Sequence, residues 1–561
     1  MCWSIMTLKF RSYNTKNPKN KLIRERKTSD FSIIYRPKRP NSEQRKKPPG
    51  AMKKFRVVLI CTPEMGNLVP LVEFAHQLTN RDRRFCATVL IMTVPERPIV
   101  NAYVKSRDAL ATTTDANTIN FVYLPSVDPP SPDQYKSTLG YLSLFIERHK
   151  PHVKNEITKL METESDSEDS DRVAGLFIDM FCTSMIDVAN QLGIPCYLYF
   201  ASPASFLGFM LHFPNIDAQL ANEFVESNTD FFVPKDSTTE LVIPSFANPL
   251  PPSVLPSTVL KRKRDGYVWY LRHATRYMET EGIVVNTFQE LEPYAIESNS
   301  VNGMPPVYPI GPVLDLNGPA QWHPDRVHHE SIMKWLDDQP PSSVVFLCFG
   351  SMGSFVGPQL REIAIGLQRV GFRFLWSIRE PSKSKIYLPG EYTNLKVKEM
   401  LPEGFLNRTA GVGLVCGWVP QVTILSHQAI GGFVSHCGWN SVLESLWYGV
   451  PIATWPLYAE QQMNAFELVK ELRLAVEIRL DYRDGRGSDL VSAEEIERGL
   501  RRLMDGDDEV RKKVKEMREK SRTAVMEEGS SNKSLGSLIK KIVADVRNFE
   551  AQSKLINSTF Q

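Results

Sequence analysis

The sequence predicts an α/β protein made of two doubly wound, Rossmann-like domains facing a cleft. Three observations carry that expectation. The chain has 561 residues, more than a single hydrophobic core usually serves. Two distant stretches open in the same way, with a β-branched apolar run, a Gly-bearing turn and an amphipathic helix: Phe55–Cys61 with Thr62–Gly66, and Ser343–Phe349 with Gly350–Ser354. Between them, from Val307 to about Pro324, Pro and Gly recur without periodicity, which reads as the join.

Taken in order, residues 1–51 hold 14 Lys/Arg against 3 Asp/Glu and show no periodicity. They read as a basic, disordered extension. An Arg-rich, acid-poor leader, a nuclear signal near Arg45, and upstream sequence joined to a start at Met52 are its three readings. Phe55–Cys61 is a buried parallel strand, and the helix from Asn67 puts Leu68, Leu71, Val72, Ala75 and Leu78 on one face, with Pro70 tolerated in its first turn. Strands follow at Ala87–Met92, Gly175–Asp179, Ile194–Phe200 and Gly282–Asn286, the last of this half. Glu162–Asp171 is an acidic solvated loop, Pro244–Thr258 a Pro-rich one, and Lys261–Arg264 a basic cluster. The first domain is set at 52–312, the linker at 313–324 and the second domain at 325–530.

In the second half, a helix over Gln359–Val370 and a strand over Phe372–Ile378 lead to the most informative run, Trp418–Gln461. Ile430–Ser435 is a short apolar strand, His436-Cys437-Gly438 a tight turn, and Asn440–Leu446 the start of a helix. Free N–H groups at that helix tip and its dipole make an anion site. His436, Asn440 and Ser441 add side-chain donors suited to a diphosphate. Glu444 lies one turn on, within reach of a ribose diol. Trp418 offers a flat face to a base. Glu460 and Gln461, after the strand Ile452–Trp455, suit sugar hydroxyls. Ala493–Glu527 reads as charged helix and Ser531–Val546 as an amphipathic one.

The 44 residues from Trp418 to Gln461 resemble the donor signature of plant UDP-dependent glycosyltransferases, and the likeness extends over about residues 52–548. It implies a GT-B fold, with residues 531–548 crossing back to the first domain. It implies inverting transfer of glucose from UDP-glucose to a small lipophilic hydroxyl compound (a flavonoid, phenol or terpenoid), with no cofactor or metal, by a cytoplasmic monomer. By position, Trp418 stacks on uracil, Val419 contacts its edge, and Gln421 and Glu444 hold the ribose. Ser351, His436, Gly438, Asn440 and Ser441 serve the diphosphate. Trp439, Glu460 and Gln461 touch the sugar, Gln at the last place going with glucose.

At one position the chain departs from that pattern. The family's catalytic histidine follows the glycine of the first turn; here the pair is Gly66-Asn67. Asn cannot take a proton at neutral pH. Asp179, the expected partner, is present. His76, nine residues on, falls on the opposite side of the helix. Three outcomes stay open: Asp179 or Glu64 acts as base, directly or through water held by Asn67; the acceptors ionise with little help; or the chain binds a nucleotide sugar or phenol without transferring sugar.

Charge and composition exclude other classes. The net charge is +3, but the basic extension leaves the remainder mildly acidic, which argues against nucleic acid. The eight cysteines form no CxxC pair and read as free thiols in a reducing compartment. No run of about 18 apolar residues predicts a membrane span. No G-x-G-x-x-G follows an opening strand, and no G-x-S-x-G elbow exists, against a dehydrogenase or a serine hydrolase.

Overall fold

A computed structural model describes residues 55–559 except 95–96, 112–117, 163–171, 229, 302, 321–322, 324–327, 383–386, 484–489 and 507. The basic extension, most of the acidic loop and part of the expected linker lie outside those residues. Two parallel sheets organise the chain. The first contains β1 (Phe55–Ile60), β2 (Phe85–Ile91), β3 (Ile119–Tyr123), β4 (Arg172–Asp179) and β5 (Cys196–Phe200). After a hairpin, β6 (Phe224–Glu226) and β7 (Phe232–Pro234), it is completed by β8 (Ile283–Val285) and β9 (Val307–Pro309), in the order β3-β2-β1-β4-β5-β8-β9. The second contains β10 (Val344–Cys348), β11 (Arg373–Ser377), β12 (Gly413–Cys416), β13 (Ile430–Ser435), β14 (Ile452–Thr454) and β15 (Ala475–Glu477), in the order β12-β11-β10-β13-β14-β15. Both are Rossmann-like α/β sheets. In each, the strand order reverses once, between β1 and β4 and between β10 and β13, and a crevice outside the carboxyl ends forms there.

Three expectations about elements are corrected. Gly282–Asn286 does not end the first sheet. Val307–Pro309, read as part of the join, pairs in parallel with β8 (Ile283 opposite Val307, Val285 opposite Pro309). It is the edge strand, where a proline's missing N–H costs no ladder bond. The short, half-exposed strand Ile119–Tyr123 on the opposite edge was not anticipated. The charged helix from Ala493 divides into Ala493–Arg501 and Asp508–Val525, with a widened turn, Arg502–Gly506, between them.

The last helix, Ser530–Thr559, returns to the first sheet and packs Leu535, Leu538 and Ile542 into the same core as Leu59, Tyr197 and Val284. The Tyr197 hydroxyl donates to Asp545 Oδ2 at 2.6 Å, and Lys541 bridges Asp545 and Glu281. The basic cluster is absorbed locally. Arg262 pairs with Asp217, Lys263 with Glu226 and Arg264 with Asp230, while Lys261 sits over the Phe231 ring. Those contacts staple the β6–β7 hairpin rather than offering a free basic patch.

Candidate functional site

At the first reversal, Asp179 ends β4 and Asn67 lies in the first turn of the helix Met65–Arg81. Asp179 is 1% exposed. Its Oδ2 accepts from the Thr62 backbone N–H at 2.7 Å and from Asn67 Nδ2 at 2.8 Å, and its Oδ1 accepts from the Phe181 N–H at 3.1 Å. Asp179 therefore sits behind Asn67 with both oxygens engaged. With its nitrogen on Asp179, the Asn67 amide has its carbonyl oxygen to offer a ligand, an acceptor that can orient a hydroxyl but not deprotonate it. Glu64 is paired with Arg97 at 3.1 Å. His76 lies near Arg107 and Asp315 instead, and burial lowers its pKa.

At the second reversal, β10 runs into Gly350 and Ser351, and β13 into His436, Cys437 and Gly438. A Cβ on either Gly350 or Gly438 would lie 2.5 Å from His436 Nε2, so both glycines are required to admit the imidazole. Gly350 also has φ +75°, a conformation that side chains disfavour. His436 is buried, and desolvation pushes its pKa down to about 4, leaving a neutral ring that can donate one N–H. The helix Trp439–Tyr448 starts here. Asn440 Nδ2 donates to Gly66 O at 2.9 Å, which ties this helix tip to the turn that carries Asn67. The two crevices therefore face each other across a direct hydrogen bond.

Three more of the expected residues, Gln421, Ser441 and Glu444, form one hydrogen-bonded group. Gln421 Nε2 donates to Ser441 Oγ and to Glu444 Oε2, each at 2.7 Å. Burial pushes Glu444 up to about 7. Val419 is buried and follows Trp418, which is half-exposed and stacks on His323 with ring centroids 3.6 Å apart and planes 5° from parallel. That histidine, from the join, had no signal in the sequence. Trp439 is a core residue whose indole donates to Asn286 O at 2.7 Å, which ties the helix start to the first half. Gln461 Oε1 accepts from the Leu457 and Tyr458 N–H groups, which points its amide nitrogen elsewhere. Glu460 accepts from Ser202 Oγ, and burial raises its pKa. Ser351 is exposed.

A cavity of about 240 Å³ opens past the ends of β2 and β3, lined by Thr93, Val94, Pro98, Asn101, Ser126, Val127, Pro129 and Phe145. Beyond β5, the helix Ala204–Glu223 buries Phe206, Leu207, Phe209 and Met210 completely. Among the described residues, no group of three or more His, Cys, Asp or Glu side chains is placed to hold a metal ion. No described helix is long and apolar enough to cross a membrane.

Behind Gln461 the two halves share a carboxyl pair. Glu292 accepts from the Ala204 and Ser205 N–H groups at 3.0 and 2.8 Å, and Glu467 Oε2 accepts from Ser205 Oγ at 2.7 Å. Burial first, then the Glu292 charge, raises Glu467 well above the usual carboxyl range. A folded-state pKa raised in this way contributes stability in full below about pH 4.5 and loses it as pH rises toward the folded value. Glu467→Gln, which mimics the protonated acid, is expected to match wild type near pH 5 and to exceed it by about 1–3 kcal/mol at pH 9. Parallel melting curves across that range would count against a shared proton.

Residues 270–496 match the family model described as UDP-glucoronosyl and UDP-glucosyl transferase. UDP-glycosyltransferase 43 of Pueraria montana var. lobata is 53% identical over 495 residues, covering 88% of this chain and 100% of the relative. UDP-glucose flavonoid 3-O-glucosyltransferase 6 of Fragaria ananassa is 50% identical over 497 residues, covering 87% and 99%. Among solved structures, Medicago truncatula UGT71G1 complexed with UDP-glucose superposes with a TM-score of 0.76 at 44% identity, covering 87% of this chain and 98% of that one.

Proposed function

This chain belongs to the UDP-glucoronosyl and UDP-glucosyl transferase family, as a plant-type UDP-glycosyltransferase of GT-B fold, and from that premise we propose that it moves glucose from UDP-glucose, with inversion, to a hydroxyl of a small lipophilic metabolite. The observation that carries this is the Asn440–Gly66 hydrogen bond, which brings a helix tip rich in free N–H groups against the turn holding Asn67. Trp418 stacks the base, Val419 contacts its edge, and Gln421 and Glu444 hold the ribose. Ser351, His436, Gly438, Asn440 and Ser441 surround the diphosphate. The Trp439 N–H, Glu460 and the Gln461 amide read the sugar. Diphosphate charge is taken up by oriented N–H donors, with no metal assigned. The cavity beside Phe145 receives the acceptor. A flavonoid fits the name of the Fragaria ananassa relative, and phenols and terpenoids fit the apolar lining.

Asn67 shapes the chemistry. Its carbonyl oxygen orients the acceptor hydroxyl, and the acceptors best served are those acidic enough to lose the proton to solvent. The same residue favours a second reading, a weakened or inactive relative that binds a nucleotide sugar or phenol. The protein acts as a cytoplasmic monomer, its location in keeping with the largely buried thiols among the described residues.

Titration calorimetry with UDP and UDP-glucose tests the donor site, and turnover on a panel of phenols of graded acidity tests transfer. Trp418→Ala is expected to weaken UDP by about 1–3 kcal/mol, the worth of one stacked base. A wild-type chain giving no heat with either nucleotide ends the proposal. One that binds both but glucosylates none of the panel selects the second reading.

A further inference from the structure

Arg97 is a buried cation that the reading above leaves unused. It is 6% exposed and spans the cleft. Nη2 is 3.1 Å from Glu64 Oε1, in the turn before Asn67. Nη1 donates to the Met352 sulfur at 3.3 Å, on the opposite half. Its backbone is fixed by Arg97 N–H to Val94 O and Val100 N–H to Arg97 O, beside the cavity that Val94 and Pro98 line.

The Met352 contact is chemically odd. A thioether is a weak acceptor, and a desolvated guanidinium gains little from one. Met352 directly follows Gly350 and Ser351, the turn packed against His436. The groups assigned to the diphosphate are all uncharged: a neutral His436, Ser351, Asn440, Ser441 and backbone N–H groups. Glu444 and Glu460 nearby are acidic. A nucleoside diphosphate carries at least two negative charges, and charge-assisted hydrogen bonds are roughly twice as strong as neutral ones.

We propose that Arg97 is a diphosphate ligand supplied by the acceptor-side half: Nη1 leaves the Met352 sulfur for a phosphate oxygen when the donor enters, while Nη2 keeps Glu64. The inference rests on the UDP-sugar reading of the site. It makes donor binding a cross-cleft event, because one guanidinium then touches the Asn67 turn and the phosphates together.

The test is calorimetric titration of UDP and of uridine, side by side, on the full chain and its Arg97→Met, Arg97→Lys and Met352→Leu variants. Arg97→Met is expected to weaken UDP roughly 10–100-fold and to leave uridine within about twofold, since uridine lacks the phosphates. Arg97→Lys restores part of the loss. Met352→Leu leaves UDP within about threefold, because the sulfur is only a resting partner. Added KCl weakens UDP more steeply in wild type than in Arg97→Met. Equal losses of UDP and uridine in Arg97→Met, or no change in either, overturn the inference while leaving the donor site standing. A wild-type chain that binds neither removes the donor site itself, and the inference with it. If Arg97→Met does not fold, Arg97→Lys decides by the same UDP-to-uridine comparison.

Discussion

Asn67→His is expected to raise kcat for ordinary alcohols and weakly acidic phenols by about 10²–10⁴-fold, the usual worth of a positioned general base. The site is built to receive it. Asp179 Oδ2 already accepts from Asn67 Nδ2 at 2.8 Å, so an imidazole at the same position can give one ring N–H to that carboxylate. Its other nitrogen then faces the cleft as a base. The gain should shrink as the acceptor becomes more acidic, because a nearly ionised phenol needs less help. Initial rates over a graded phenol series, with a rise in rate as pH passes the imidazole pKa, check both parts. A histidine variant that binds UDP-glucose normally yet gains nothing on any acceptor would mean that the acceptor hydroxyl is not delivered to position 67.

Asp179→Asn is expected to destabilise the fold by about 2–4 kcal/mol and to lower turnover as well. The carboxylate serves three donors: the Thr62 N–H, the Asn67 amide and the Phe181 N–H. An asparagine has one acceptor oxygen, so its NH₂ must face at least one of these donors and leave it unpaired. The neighbouring thiols report the same change. Burial first, and the Asp179 charge second, hold Cys61 far above the ordinary thiol range, and Cys182 is held there by the same causes with Asp179 bonding added. Denaturant midpoints measure the loss. A variant with wild-type stability but no turnover would make Asp179 a proton acceptor without a structural role.

How much of this was legible depended on distance along the chain. β13 was read from its residues with the bounds it has, Ile430–Ser435, because it is apolar throughout and ends at a glycine turn. β3 and β9 escaped because edge strands are half-solvated and short, and β9 ends in proline, which reads as loop. The candidate residues between Trp418 and Gln461 were visible as a group because they fall in one continuous run with a strand, a turn and a helix at its centre. Arg97 on Met352 and Asn440 on Gly66 join residues 255 and 374 positions apart. His323 on Trp418 likewise joins the interdomain stretch to the signature. No local period encodes such pairs; they exist only once two independently patterned halves have docked.

The return of the final helix to the first sheet means the polypeptide passes between the halves twice. Like a door hung on two pins rather than one, such a molecule has its rocking confined to the line through both crossings, with free swivelling suppressed. Severing the backbone ahead of Ser530 would expose the apolar face that Leu535, Leu538 and Ile542 cover, so the amino-terminal half made alone should be insoluble unless that helix is supplied alongside it.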